Sequence, residues 1–482
     1  MAGRKDIAIE LGPDTGQPVF LALAAAIIAE IERGRLKPGD PLPGTRALAK
    51  NLRLNRNTVD AAYHELTMQG WLATEPSRGT FVAHDLPDFG MAPARPARPS
   101  AASPAAVPAR KPMLNLSDGA PDARLMPAAE FARAFRNALA GPSFLTACAY
   151  GDPRGSPQLR EALAAYLKEE RGLTAAPDDI LVTRGSQMAL FLAASAMLSP
   201  GQAIAVETPG YPLAWAAFRA AGARVLGVPV DGGGLDIDAL ERLAERERGL
   251  KAVYLTPHHQ YPTTVTLGAA RRLRLLDLAR RFGLAIIEDD YDHEYRFDGR
   301  PVLPMAARAT PDQRVVYIGS LSKLLAPGIR VGYAVAERGL LQRMADRREA
   351  VDRQGDLPLE NAIAGLISDG ALRRHARKAR RIYQQRRDHL AGLLAERFGD
   401  VASFALPAGG LAIWLQLHGP LSAETWAARA GGLGLSILPG VRFALDAAHP
   451  SEAFRLGFAS LDEAEHVKAI ELMARGKPWG NP

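Results

Sequence analysis

Lys323 stands in the run GSLSKLLAPGIR (319–330), directly after the apolar run VVYI (315–318), with Arg330 seven residues further on. A lysine set among small and apolar residues loses solvation. That lowers its pKa and leaves more of it as neutral amine, able to condense with an aldehyde. Other polar groups follow apolar runs in the same way. DILVT (179–183) leads to Gly185, which permits close backbone approach, and to Ser186 and Gln187, which begin a helix whose free N–H groups can hold a phosphate. LAIIE (284–288) leads to Asp289, Asp290 and Tyr291, and AIAVE (203–207) leads to Tyr211, an aromatic able to cover a planar ring. Ser320 and Ser322 flank the approach to Lys323, and Arg330 can fork onto a phosphate. Alone, Lys323 reads as a surface lysine and EDDYD as a solvated loop or a metal site, and no histidine spacing supports a metal. As a set, an amine, a carboxylate that keeps a pyridine nitrogen protonated and a phosphate cup meet the requirements of pyridoxal 5′-phosphate. This reading leaves the choice between Asp289 and Asp290 open.

These groups need a scaffold that brings strand ends together. From residue 114 onward, the apolar runs named above and KAVYLT (251–256) alternate with amphipathic helical patterns such as SPQLREALAAYLKEE. That alternation predicts an α/β domain with a mainly parallel sheet covered on both faces, whose ligands sit beyond the carboxyl ends of the strands. After about residue 355 the chain is helix-rich with a few strands such as GLAIWLQL, which predicts a smaller C-terminal α+β subdomain. Residues 86–113, dominated by Pro and Ala, read as an extended linker reaching up to roughly 80–90 Å.

A separate domain precedes the linker, at residues 1–85. Phe20, Leu23, Ile27, Ile28 and Ile31 share one face of a helix, and a short helix carrying Arg46, Leu48 and Lys50 follows. A further helix, capped by Asn55, turns Val59, Ala62, Tyr63 and Leu66 inward and presents Arg56, Asn57 and Thr58 outward. Those three can meet phosphates or base edges when the helix N-terminus enters a major groove. WLAT, EPSRG and TFV then read as a hairpin with Arg78 at its tip. The order of helix, helix, turn, polar-first helix and basic-tipped hairpin points to double-stranded DNA. The region is not strongly basic overall, its positive charge being concentrated in Arg46, Lys50, Arg53, Arg56 and Arg78.

LPGTRALA, NRNTV and GTFV resemble the winged helix-turn-helix of GntR-type regulators. YGDPRG, ETPGYP, TPHHQYPTT, EDDYDHEY and GSLSKLLAPGIRVGY resemble a fold-type-I aminotransferase, and the whole chain is similar to the MocR-type regulators. The resemblance implies that Lys323 is the Schiff-base lysine and that Asp289 pairs with the pyridine nitrogen. It further implies that Tyr291 bonds the ring hydroxyl, that Tyr211 stacks on the ring, and that Ser186, Gln187, Ser320, Ser322 and Arg330 surround the phosphate. Arg455 in AFRLGFAS falls where aminotransferases keep a carboxylate-binding arginine, which makes it the candidate effector ligand. Relatives read PTG where this chain has Pro262, Thr263 and Thr264, and a threonine enters positive φ at a cost, so an altered loop is expected. Leu213, after TPGYP, offers an effector no anion contact.

The formal charge is +7 with 47% hydrophobic residues, ordinary for a globular protein and compatible with an anionic partner. Cys148 is the single cysteine, so no intramolecular disulfide forms, and a reducing cytoplasm fits. No signal-peptide pattern or membrane-spanning run is read. Three functions remain in contention: a transcriptional regulator that senses pyridoxal 5′-phosphate or an amine or amino acid through an external aldimine, a working aminotransferase with a DNA-binding appendage, and a dimerising scaffold with a vestigial pocket. The intact lysine, carboxylate and phosphate cup disfavour the scaffold. A DNA reader on a long tether favours the regulator, and paired operator half-sites favour a homodimer.

Overall fold

The computed structural model of the 482-residue chain describes residues 9, 17–76, 78–87, 114–117, 119–141, 149–298, 302–310, 312–446 and 451–478. Cys148, Ser77 of the hairpin turn and the linker from 88 to 113 lie outside the described residues. The chain divides into two compact units, Met1–Ala109 and Arg110–Pro482.

In the first unit, α1 (Val19–Glu32), α2 (Thr45–Leu52) and α3 (Arg56–Met68) pack around Leu23, Ile27, Ile31, Leu48, Val59, Ala62 and Leu66. The α2–α3 turn is tight because Arg53 takes a left-handed φ of 54° and the Asn55 side chain accepts from the Asn57 N–H at 2.9 Å. Tyr63 donates to the Pro43 carbonyl at 2.8 Å, which fastens α3 to the entry of α2. The hairpin of β1 (Leu72–Glu75) and β2 (Gly79–Val82) is antiparallel, with Leu72 opposite Val82. The core of this unit is helical, and the wing is its one sheet among the described residues.

In the second unit, β3 (Leu114–Asn115) lies apart from the main sheet. The main sheet contains β4 (Ile180–Thr183), β5 (Ala203–Thr208), β6 (Arg224–Asp231), β7 (Gly234–Leu235), β8 (Leu250–Leu255), β9 (Ala285–Asp290), β10 (Val315–Ser320) and β11 (Gly332–Val335). Their order is β4-β11-β10-β9-β8-β5-β6-β7. β10, β9, β8, β5 and β6 run parallel, and β11 lies antiparallel between β10 and β4. Alternate side chains feed two apolar layers. Val206, Tyr254, Ile287 and Ile318 pack with the helices Ser186–Met197, Pro212–Ala220 and Arg338–Asp352, while Ala205, Val253, Leu255 and Ile286 pack with Ile237–Arg246 and Ala269–Phe282.

Beyond residue 355 the helices Leu357–Ser368 and Ala371–Phe398 lead to a four-stranded sheet of β12 (Ala402–Ser403), β13 (Ala412–Leu417), β15 (Leu438–Pro439) and β16 (Ala453–Gly457). The remaining strand, β14 (Leu435–Ser436), pairs with β3. Among the described residues no helix is long and apolar enough to cross a membrane.

Candidate functional site

The parallel strands β4, β5, β8, β9 and β10 deliver their carboxyl ends to one cavity of about 370 Å³. Its wall holds Lys323, Asp289, Tyr291, Tyr211, Ser186, Gln187, Ser320, Ser322 and Arg330, nine of the ten residues expected to hold the cofactor. Gly185, the tenth, sits just behind as the N-cap of helix Ser186–Met197 with φ 76°. A Cβ there would lie 3.0 Å from the Arg330 guanidinium, so the glycine lets that cation close over the helix N-terminus. Arg330 itself has φ 54°, and its Nη2 donates to the Arg184 carbonyl at 3.1 Å. Free N–H groups, two buried serines and a guanidinium therefore face one end of the cavity.

Strand alternation separates the two carboxylates that the sequence left undecided. Asp289 shares a face with Tyr254 and lines the cavity; its Oδ2 accepts from the Tyr254 hydroxyl at 3.0 Å, and its buried Oδ1 has no partner among the described residues. Burial pushes its pKa up to about 7. Asp290 points to the other face, where Oδ2 accepts from Arg171 Nη2 and from the Tyr317 hydroxyl, each at 2.6 Å, and His258 Nδ1 lies 3.2 Å from Oδ1. Burial would raise the Asp290 pKa, but the Arg171 charge and these neighbours hold it far below the carboxylate range. His258 itself is pushed down to about 3 by burial and stays neutral.

Lys323 is half-buried, and its Nζ donates to the Gly119 carbonyl at 3.2 Å. The Tyr295 hydroxyl holds the Lys323 carbonyl at 3.1 Å, and Leu321, Leu324 and Leu325 anchor the segment in the core. Tyr291 donates to the His259 carbonyl at 3.0 Å, and Gln187 Nε2 to the Leu213 carbonyl at 2.6 Å. Tyr211 meets Tyr261 edge-on at 4.9 Å. Arg455, buried on β16, does not line the cavity; its guanidinium lies 4.4 Å over the Tyr261 ring, and Tyr261 does line it.

Tyr254, Thr256, Tyr261 and Pro327 also line the cavity and were assigned no role from sequence. Tyr254 and Thr256 end the run KAVYLT, so the rule that ligands meet strand ends was the available signal. The expectation of an altered loop at Thr264 is corrected in one respect. Thr264 itself takes the left-handed φ of 66°, held by its N–H donating to the Gln260 carbonyl at 2.7 Å and by Gln260 N–H donating to Val265 at 2.9 Å. These bonds offset a strain of about 1–3 kcal/mol.

In the winged unit Arg46, Lys50, Arg56 and Asn57 are exposed and Thr58 is half-buried. Arg46 and Arg56 flank one concavity at the N-terminus of α2. Arg78 reaches Glu75 at 2.5 Å and lies 5.5 Å over the Phe81 ring, its guanidinium still largely in solvent.

Residues 21–82 match the family of bacterial regulatory proteins, gntR family, and residues 111–472 match aminotransferase class I and II. The pyridoxine biosynthesis transcriptional regulator PdxR of Corynebacterium glutamicum is 32% identical, covering 90% of this chain and 91% of its own length. The probable rhizopine catabolism regulatory protein MocR of Rhizobium meliloti is 30% identical, covering 94% and 92%. The chain belongs to the MocR-type regulators of the GntR family. Among solved structures, the large domain of this MocR-type chain matches LysN, an α-aminoadipate aminotransferase of Thermus thermophilus complexed with N-(5′-phosphopyridoxyl)-L-leucine. That match has a TM-score of 0.70 and 30% identity, and covers 76% of this chain and 92% of LysN. The kynurenine aminotransferase of Pyrococcus horikoshii matches with a TM-score of 0.71 and 28% identity, covering 76% and 91%. The cofactor of such a MocR-type domain is pyridoxal 5′-phosphate. The cavity fits it: an unpartnered buried carboxylate oxygen, a glycine-backed helix N-terminus and a lysine open into the same space.

Proposed function

We propose that this regulator reads a double-stranded operator with its winged domain and responds through its large domain to pyridoxal 5′-phosphate, or to an amine or amino acid that enters the cofactor cavity. The observation that carries this reading is the convergence of Lys323, the unpartnered Asp289 Oδ1 and the Ser186–Arg330 cup on one cavity. When bound, the cofactor supplies an aldehyde for a primary amine and an electron-poor ring. Lys323 contributes the chain's own primary amine and rests it on Gly119. Asp289, steadied by Tyr254, offers Oδ1 as the carboxylate that keeps a ring nitrogen protonated. Ser186, Gln187, Ser320, Ser322 and Arg330, with Gly185 behind them, take the phosphate. Tyr211 covers the ring, Tyr291 orients its hydroxyl, and Arg455 receives an effector carboxylate from behind Tyr261. Arg46, Lys50 and Arg78 position the winged domain on phosphates, while Arg56, Asn57 and Thr58 face bases. The working form is a homodimer on paired half-sites.

Borohydride reduction of protein soaked in pyridoxal 5′-phosphate should attach one cofactor per chain at Lys323, read by peptide mass spectrometry. Lys323→Ala should lose this adduct and the visible absorbance yet still shift operator DNA. A trapped adduct in Lys323→Ala overturns the lysine assignment. Sustained exchange between an amino acid and a 2-oxo acid would instead favour an enzyme.

A further inference from the structure

A second cavity, of about 200 Å³, lies elsewhere in the large unit, and the cofactor reading does not use it. Three elements wall it: the C-terminal end of helix Pro157–Arg171, the loop after β9 carrying His293, Glu294 and Arg296, and the first turns of helix Ala371–Phe398. Arg373, Arg377 and Arg380 stand at i, i+4 and i+7 on that last helix and all line the cavity. From Ala371 to Arg387 the helix carries no acidic residue. Like charges four residues apart destabilise a helix by about 0.2–0.5 kcal/mol per pair, so the stripe opposes helix formation until something counters it.

The wall holds two carboxylates, Glu170 and Glu294, each paired with a neighbour in the same wall, and Glu294 Oε2 is left buried without a hydrogen-bond partner. Glu170 lies 2.8 Å from Arg373 Nε, and Glu294 accepts from the Tyr166 hydroxyl at 3.0 Å with His293 Nε2 3.2 Å away. Arg377 and Arg380 have no ion pair among the described residues. Arg296 keeps Nε and Nη1 buried with no hydrogen-bond partner, and so does Arg171 at Nε. The His293 side chain is only 4% exposed, and neither ring nitrogen has a hydrogen-bond partner. A buried donor left unsatisfied costs about 1–3 kcal/mol, more when charged. Five guanidiniums, those of Arg171, Arg296, Arg373, Arg377 and Arg380, face the cavity against two carboxylates, an excess of positive donors complementary to a multivalent oxyanion.

We propose that this cavity is a binding site for a phosphate-type oxyanion, held by Arg296, Arg377 and Arg380 with His293 and bridging the helix Ala371–Phe398 to the loop after β9. Arg171 connects it to the sheet, since the same guanidinium grips Asp290, the neighbour of Asp289.

The test uses the full chain loaded with pyridoxal 5′-phosphate and freed of excess, so that the cofactor's own phosphate fills the first cup. Inorganic phosphate is titrated calorimetrically at constant ionic strength. Saturable binding at one site per chain is expected, with sulfate competing and chloride not. Arg377→Ala/Arg380→Ala, which alters exposed side chains, should weaken binding at least tenfold and leave the visible absorbance unchanged. Unsaturable heats, or undiminished affinity in the double variant, overturn the proposal. A variant that loses operator affinity while keeping its phosphate binding assigns the arginines to DNA instead, and overturns it equally. Because absorbance reports the cofactor cavity separately, failure here is distinguishable from failure of the cofactor assignment.

Discussion

The side-chain nitrogen of Lys323 donates to the carbonyl oxygen of Gly119 at 3.2 Å, across 204 residues of chain. Gly119 also makes room for another cation: a Cβ on it would lie 2.7 Å from Arg455 Nη2 and 2.8 Å from Nη1. Gly119→Ala should therefore displace the Arg455 guanidinium. The expected outcome is at least a tenfold loss of affinity for a carboxylate-bearing effector, with cofactor affinity within threefold of wild type, read by absorbance titration. Equal losses in both would mean that Arg455 serves the cofactor site as a whole.

Asp289 and Asp290 should answer differently to the same change. Asp289→Asn removes the carboxylate offered to a ring nitrogen and should lower cofactor affinity by an order of magnitude or more while the fold persists. Asp290→Asn leaves the Arg171 guanidinium buried without its charge partner and should cost about 3–5 kcal/mol in urea unfolding.

The pH dependence of the cofactor-free protein follows from the same residue. Burial raises the folded pKa of Asp289 from 3.8 to about 7, so between those values the native state binds more protons than the unfolded one. Stability then falls as pH rises through that window. Cofactor-free Asp289→Asn should gain on wild type as pH rises from 4 to 8, by on the order of 2–4 kcal/mol, measured by urea midpoints along the pH series. A constant difference across the series would exclude this carboxyl as the source.

Thr264→Gly should stabilise the protein by about 1 kcal/mol, because glycine takes a φ of 66° without steric cost. Thermal unfolding in the cofactor-loaded state is the check.

Arg56→Ala should weaken operator binding by about 1–3 kcal/mol and relax base preference at the position it faces, with the salt slope little changed; a slope lowered by about one would assign it to phosphate instead. Its pair with Asp60, 3.4 Å away and exposed on both sides, holds little energy, so the fold and the visible absorbance should not change. Gel-shift titrations at three salt concentrations separate these outcomes.

Much of this architecture was legible in the chain itself. The five apolar runs fall on β5, β8, β9 and β10 in the parallel part of the sheet and on β4 at its end, because all five are buried on both faces and show as continuous apolar stretches. β6 did not announce itself: RVLGVPVD holds a glycine and a proline and is only partly buried near the sheet edge. Asn55 and the inward stripe of α3 were readable because capping and periodicity are local. The Tyr254–Asp289 bond and the gathering of Arg171, His258 and Tyr317 on Asp290 were not. They join residues 27 to 119 positions apart, and either face of β9 looks apolar in sequence. Arg455 fell near the cavity as expected but behind an aromatic ring, a depth that spacing along one strand does not encode.

The left-handed Arg53 and the Asn55 cap fix the angle between α2 and α3 with backbone geometry and one amide side chain, none of which touches what lies ahead of the helix tip. Arg56, Asn57 and Thr58 are therefore free to be exchanged in a lineage without rebuilding the turn that aims them. On the proposed reading that these three face bases, a new promoter would be acquired by changing three adjacent codons while the chemistry of the sensor stays as it was.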